Sequence, residues 1–256
     1  MNLDPLLDDM LRNMEAAFAS LAKRVPAPQR VPYKDGFVFR YAERTVHQAL
    51  VQKLARLLSG LRAARILLTH GFFQEQAALQ RMLDEFREDI MFLSLGVIKG
   101  EITDLHREYL DAFYEEEFDN EDPLKATQRR PMIPRKRIQA YIANIDGTVV
   151  DRSTGTELLR TLSKAYSGFV HGASPQIMEM YGGSPAHFHT AGMLQTPREN
   201  EHREDLWNYF YRGIIAFALV AMAFGDRLLL DRLRQYRDEF ERLSGRHDGG
   251  RPLGAA

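Results

Sequence analysis

Three polar side chains recur at every fourth residue near the middle of this 256-residue chain: Ser163, Ser167 and His171. On a helix they would stack along one side. A serine one turn before a histidine can orient the imidazole, which could then act as a general acid or base. The alternative is that His171 lies at a helix C-terminus, before Gly172, where the helix dipole favours a cation.

A second polar line is predicted earlier in the chain. Arg81, Glu85 and Asp89 follow one another at one residue per helical turn, with Glu88 beside them. Such a line is typical of a solvent-exposed face with an Arg81–Glu85 ion pair. It is also the way in which a helical bundle presents carboxylates to a metal ion or a cationic partner.

Two further histidines follow the glycine-rich loop at residues 181–185. His187 and His189 diverge in a strand but converge in a bent loop. With His171 and a carboxylate from Glu85 or Asp89 they would give a zinc site. Because this set matches no spacing motif, we expect no cofactor and keep His187 and His189 as reserve metal ligands.

The composition excludes several classes of protein. Net charge is −1, which does not favour a globally basic nonspecific nucleic-acid binder but leaves room for a local patch. The chain has no cysteine, no Walker loop, no GxGxxG, HExxH or GxSxG motif, and no two Glu-x-x-His pairs for a di-iron site. The N-terminus is acidic and periodic, unlike a signal peptide. The longest apolar run, Ile214–Phe224, is too short for a membrane span and is therefore predicted to be a buried core helix. We therefore expect a cytoplasmic protein without a membrane partner.

Hydrophobic periodicity predicts how these residues are positioned. It indicates an all-α fold, a single bundle of about six or seven helices with long antiparallel members, formed by residues 1–245. The predicted segments are an amphipathic helix within 1–25, helices at 39–70, 72–95, 104–118, 138–145, 156–171 and 198–243, a charged exposed connection at 119–136 and a disordered tail at 246–256. No segment is predicted as a strand. The basic half of the connection is a candidate phosphate contact, although a solvated loop is favoured.

The two polar lines carry a resemblance. The combination of Arg81-x-x-x-Glu85 with a later Tyr166-Ser167-x-x-x-His171-Gly172 resembles an uncharacterised helical family placed near the HEPN (higher eukaryotes and prokaryotes nucleotide-binding) superfamily. The resemblance covers roughly residues 40–230 and implies binding of RNA or a nucleotide. Many members are metal-independent ribonucleases in which an arginine is followed by four to six residues and then by the histidine.

This chain departs from the ribonuclease pattern, because Lys164 and no arginine precedes His171 at that distance. The departure argues against cleavage. Arg65 with His70 has the ribonuclease spacing and is a reserve candidate, although 27 arginines produce such pairs by chance.

Three functions therefore compete. The first is a HEPN-like protein that binds or cleaves RNA or a nucleotide. Its assigned catalytic residues are His171, Ser167, Arg81 and Glu85, and its assigned ligand-binding residues are Lys164, Tyr166 and Asp89. The second is a non-catalytic helical interaction module that forms a homodimer. The third is a metal-dependent enzyme that uses His187 and His189.

Overall fold

A computed structural model describes residues 4–116, 120, 122, 124–127, 131–144, 166–247 and 251–252. It confirms the predicted all-α class. The helices in the described ranges are α1 Asp4–Ala22, α2 Val46–Thr69, α3 Phe73–Ile98, α4 Asp104–Tyr114, α5 Arg135–Ala143, α6 Ser167–His171, α7 Ser174–Met178, α8 Arg198–Ala223 and α9 Arg227–Ser244. The short strands, paired in antiparallel twos, are β1 Gln29–Tyr33, β2 Gly36–Arg40, β3 Tyr181–Gly182, β4 His187–Phe188, β5 Arg246–His247 and β6 Arg251–Pro252.

Specific contacts give the directions of the long helices. Lys53 of α2 pairs with Asp89 of α3, and Gly60 lies against Leu83, so the partner number falls as the α2 number rises. Helices α2 and α3 are therefore antiparallel, as their three-residue connection requires. Helices α8 and α9 are also antiparallel, because Trp207 in the first half of α8 stacks on Phe240 near the end of α9. By contrast, α3 and α8 run parallel, because residues 76 and 84 contact residues 202 and 209.

Helix α8 lies at the centre of the core. It packs against α1, α2, α3 and α9, and its largest apolar side chains, including Trp207, Phe210 and Phe217, are fully buried. This helix is long and apolar enough by composition to cross a membrane, but 61% of its most apolar window is buried inside the fold. The predicted buried core helix at 214–224 is thus confirmed.

The turn between α2 and α3 is held by glycine. Gly71 follows the last helical turn with φ +76°, as predicted for a C′ residue. Its carbonyl accepts a hydrogen bond from the Met193 amide, and a Cβ at position 71 would lie 2.7 Å from that nitrogen. Only glycine allows this approach of two backbone segments.

Several predicted helix boundaries are wrong. Helix α4 ends at Tyr114 and not at residue 118, and α5 begins at Arg135, within the predicted exposed connection, and not at residue 138. The second helix begins at Val46 and not at residue 39, because Thr45 and Gln48 form a capping box there. Residues 29–40 form a β-hairpin, although no strand was predicted. The long C-terminal helix is divided at Gly225, which has φ +67°. Helices α6 and α7 are single turns, so the described part holds more helices than expected.

Other predictions fall partly outside the described residues. Of the helix predicted at 156–171, the structure describes residues 166–171, of which Ser167–His171 are helical. The described residues of the charged connection are mostly exposed, and Lys125 pairs there with Asp122 at 3.5 Å. Where a disordered tail was expected, residues 246–247 pair with residues 251–252.

Gly213 gives a test of the packing between α1, α2 and α8. A Cβ at this position would lie 2.8 Å from Leu61 Cδ1 and 3.2 Å from Met14 Cε. Because both side chains are buried, Gly213→Val should lower the free energy of unfolding by about 1–3 kcal/mol. Urea unfolding followed by fluorescence of Trp207, the single tryptophan, measures this loss. The exposed Ala55→Val on α2 is the control and should change it by less than about 0.7 kcal/mol; equal losses would contradict the packing.

Candidate functional site

The predicted polar line of α3 divides into two parts. Arg81 pairs with Glu85 at 2.9 Å, and both side chains are partly exposed, as the pattern predicted. Glu88 and Asp89 are each only 3% exposed, so the expectation of a solvated face is wrong for them. Helical periodicity identified a charged line but could not show that another element covers its C-terminal half.

Arg135, the first residue of α5, covers these buried carboxylates. Its guanidinium donates to Asp89 and, at 2.5 Å, to Glu88, and also reaches the Glu85 carbonyl at 3.1 Å. Lys53 of α2 pairs with Asp89 from the other side at 2.7 Å. Burial opposes the charge of Arg135, but the two carboxylates outweigh it and raise its pKa. Two cationic side chains of the chain itself therefore neutralise these carboxylates.

One turn earlier on α3, Asp84 joins α3 to α8. It accepts a 2.8 Å hydrogen bond from the Tyr209 hydroxyl and pairs with Arg212 at 3.3 Å. Burial, followed by the charge of Asp84, raises the pKa of Tyr209, so the phenol stays a hydrogen-bond donor. Sequence reasoning did not single out Asp84, because it lies between the two faces of the helical projection.

Tyr166, which lies just before α6 in the predicted catalytic helix, packs beside Tyr209 of α8. Its ring lies 5.9 Å from that of Tyr209, and its hydroxyl donates to Asp205. Burial raises the pKa of Tyr166, and the Asp205 carboxylate adds to the rise. Tyr166 is thus attached to α8 through its hydroxyl, and among the described residues no hydrogen bond joins it to His171.

His171 itself ends α6 and is exposed, before Gly172 with φ +62°. His171 therefore lies at a helix C-terminus, which is the alternative given in the sequence analysis. Within the described ranges, no hydrogen bond or ion pair joins His171 to Arg81 or Glu85. Ser167 is half-buried on the same turn, while Ser163 and Lys164 lie outside the described residues. The catalytic role of His171 stays a prediction.

The loop histidines do meet each other. The rings of His187 and His189 are 4.4 Å apart, and His187 Nδ1 lies 2.9 Å from the Pro185 carbonyl. Among the described residues, however, no group of three or more His, Cys, Asp or Glu side chains could hold a metal ion. The zinc site suggested by the sequence is therefore not formed. Glu85 pairs instead with Arg81, and Asp89 pairs with Lys53 and with Arg135.

The reserve pair, Arg65 and His70, has structural roles. Arg65 is 9% exposed and forms ion pairs with Asp4 and Asp8 of α1 at 3.3 and 3.5 Å. His70 caps α2 with its Nδ1 2.9 Å from the Ile66 carbonyl. The two side chains therefore hold separate parts of the bundle.

His202 is a buried histidine that sequence reasoning missed. It is 5% exposed, and its ring stacks on Phe73 at 5.0 Å. Burial lowers its pKa to about 4. Its neighbours Glu199 and Glu201 placed it in an apparently charged helix start, so nothing in the pattern indicated an interior position.

The β1–β2 hairpin presents a largely exposed surface. Every residue in both strands except Val38 is exposed. Phe37 and Phe39 lie on one face, with their ring centroids 5.4 Å apart, and the Arg30 guanidinium lies 3.6 Å above the Phe37 ring. Tyr33 projects from the other face with Lys34 near its ring. A two-stranded hairpin is marginally stable alone, and here Arg40 anchors it to Glu116 by two hydrogen bonds of 2.5 and 2.8 Å.

Comparison with known proteins adds no family. No protein-family model, no curated protein and no solved structure matches the chain.

Arg135 provides a test of the buried charge network. Arg135→Ala removes the guanidinium that pairs with both buried carboxylates and leaves Glu88 with Gln139 and Asp89 with Lys53, so the free energy of unfolding should fall by about 3–5 kcal/mol. The control is Arg137→Ala on the same helix, whose pair with Glu108 is exposed; it should lose far less. Calorimetric or urea unfolding of both variants decides, and similar losses would show that the buried pairing adds nothing.

His202 should make stability depend on pH. Because its pKa is lower in the folded protein than in the unfolded chain, its contribution is complete above about pH 6.5 and is lost as pH falls towards 4. Between pH 8 and pH 5 the loss should be about 2 kcal/mol. His202→Phe, a neutral ring that can stack on Phe73, should remove this part of the pH dependence in urea unfolding. An unchanged difference between the two pH values would contradict the assignment.

Proposed function

We propose that the protein is a cytoplasmic RNA-binding protein that contacts single-stranded RNA through the β1–β2 hairpin. The observation that carries the proposal is the exposed face of Arg30, Phe37 and Phe39. Proteins that bind single strands combine flat aromatic side chains, on which bases stack, with cations that follow the phosphates. The hairpin supplies both in one ribbon.

The aromatic rings are accessible for stacking. Phe37 and Phe39 are 46% and 58% exposed, and Tyr33 is 48% exposed. Exposed aromatic side chains add nothing to the bundle core, so their presence together on five-residue strands favours a contact with another molecule. Any base can stack on such rings, because every base has a π face.

The charge around the hairpin is complementary to a phosphate backbone. Residues 23–44 contain six basic residues and two acidic ones, although the whole chain has a net charge of −1. The basic residues are Lys23, Arg24, Arg30, Lys34, Arg40 and Arg44, and the acidic residues are Asp35 and Glu43. Because Arg24 pairs with Asp226 and Arg40 with Glu116, the local basic patch that attracts polyanions at short range is formed by Lys23, Arg30, Lys34 and Arg44.

The open edge of β1 is poorly suited to pair with a strand from another protein. Pro32 faces Phe37 in the register, next to the Tyr33–Gly36 pair at the turn. At that position the nitrogen of residue 32 points towards the open edge of β1, where proline has no proton to donate. We therefore place the RNA contact on the exposed side chains and not on this edge.

The resemblance to the HEPN superfamily supports RNA as the class of ligand. Cleavage is a separate question, which depends on His171. The homodimeric interaction module remains the alternative function, favoured by the same exposed apolar side chains if a second copy covers them.

The test measures binding of a fluorescein-labelled, unstructured 20-nucleotide RNA by fluorescence anisotropy. Phe37→Ala/Phe39→Ala should weaken binding at least about tenfold, because each base stacked on an aromatic ring contributes about 1–3 kcal/mol. Arg30→Ala should lower the slope of log affinity against log salt by about 0.7. Leu228→Ala on α9, at a residue 78% exposed, is the matched control and should bind like the unchanged protein.

Equal binding by the double variant and the control would refute the proposed surface. A DNA strand of the same sequence shows whether the sugar matters. Shortening of the RNA by the unchanged protein but not by His171→Ala would establish the catalytic prediction. Sedimentation showing a dimer that Phe37→Ala/Phe39→Ala converts to a monomer, with no RNA bound, would instead establish the interaction module.

A further inference from the structure

A cavity of about 390 Å³ lies where the hairpin meets the bundle. Its lining comes from the end of β2, the segment before α2, α2 itself and the end of α4. This volume is within the range of small-ligand sites in proteins. The cavity is continuous with the proposed RNA surface, because Phe39 belongs both to its lining and to the exposed aromatic face.

The cavity walls are largely aromatic. Phe39, Tyr41, Phe113 and Tyr114 line it, with Pro28 beside them. The rings of Phe113 and Tyr114 are held edge to face at 5.0 Å, and the Tyr114 hydroxyl donates to the Thr45 carbonyl at 2.8 Å. Walls fixed in this way offer flat surfaces for a planar ring, because their own rotamers are set by neighbouring contacts.

A small number of polar groups complete the lining. The Gln52 side-chain nitrogen donates to the Gln48 carbonyl at 3.3 Å and to Tyr114, so its amide oxygen is the acceptor offered to the edge of a ring. At the rim, Arg40 and Glu116 neutralise each other. The combination of aromatic walls and an amide suits a heterocyclic base better than a purely apolar ligand.

Arg44 supplies the cation. It lies in the cavity lining next to the N-terminus of α2, with φ +52°, a conformation that costs energy for a residue with a Cβ. Within the described ranges its guanidinium has neither an ion pair nor a hydrogen bond, unlike Arg40 beside it. A strained backbone that presents an unpaired guanidinium at a cavity is typical of an anion-binding position.

We propose that this cavity binds a nucleobase between its aromatic walls, with Arg44 contacting the attached 5′-phosphate. This inference rests on the proposed function, in which the base belongs to the RNA strand that lies on the hairpin. One unstacked base inserted at the foot of the ribbon would fix the position of the strand, which stacking on the open face alone cannot do.

The first experiment uses mononucleotides, so that it does not depend on binding of a strand. Titration calorimetry or ligand-observed NMR measures 5′-AMP and adenosine with the full-length protein. The unchanged protein should bind 5′-AMP at least about fivefold more tightly than adenosine, which a single charge-assisted contact to phosphate can supply. Tyr41→Ala should weaken both ligands about equally, because it removes a wall that touches only the base.

Arg44→Gly is the sharper variant. Glycine adopts the left-handed conformation without strain, so the fold should be kept while the cation is removed. This variant should bind 5′-AMP and adenosine equally, and Arg44→Lys should restore part of the preference. Equal effects of Arg44→Gly on both ligands, or no binding of 5′-AMP by the unchanged protein, would overturn the proposal.

A second experiment separates this site from the hairpin. In a 12-nucleotide RNA that carries one 2-aminopurine, insertion of the base should change its fluorescence with the unchanged protein and not with Tyr41→Ala. If the strand binds through Phe37 and Phe39 but neither Tyr41→Ala nor Arg44→Gly alters binding or fluorescence, the base site is refuted and the proposed function stands. If 5′-AMP binds as described but no strand binds, the base site stands and RNA binding is refuted.

Discussion

Burial of acidic side chains on α3 is the constraint on which the arrangement of the bundle depends. Asp84, Glu88 and Asp89 are each at most 5% exposed, and a carboxylate removed from water is stable only beside donors that replace its hydration. Those donors come from three other helices: Arg212 and Tyr209 of α8, Lys53 of α2, and Arg135 of α5. Apolar burial alone would tolerate small shifts of one helix along another. The charged contacts select one register.

The helical bundle, in which buried charges are paired, differs in character from the β1–β2 hairpin, which we propose as the contact surface. Among the charged groups on α3 that pattern alone offered as catalytic or metal-binding, Asp89 is occupied in holding helices together, and Arg81 and Glu85 pair with each other on the helix surface. The hairpin has the opposite character, since its aromatic and basic side chains are exposed and Arg40 anchors it to Glu116, which follows α4. Function is therefore proposed where the polar groups are free, not where they are most concentrated.

The sequence predicts features that depend on neighbouring residues, and does not predict contacts between residues far apart in the chain. Helical periodicity is local, so α1, α3 and the core side of α8 were predicted from apolar spacing, and Gly71 from its place after a helix. The partner of Asp89 is 46 residues away in Arg135, and periodicity carries no such information. The hairpin was missed because its strands are five residues long and contain Pro32, which was read only as a helix breaker. His202 was missed because its burial comes from Phe73, a residue of another helix.

Ultraviolet cross-linking of the protein to single-stranded RNA, followed by mass spectrometry of the linked peptides, tests the central claim most directly. It locates the contact surface without any substitution and without assuming an affinity. The account predicts that linked nucleotides map to residues 29–44, above all to Tyr33, Phe37 and Phe39, and that peptides from α3 and α6 carry none. Cross-links concentrated at His171 and Arg81, with the hairpin unlinked, would contradict it and return the site to the two polar lines first identified in the sequence.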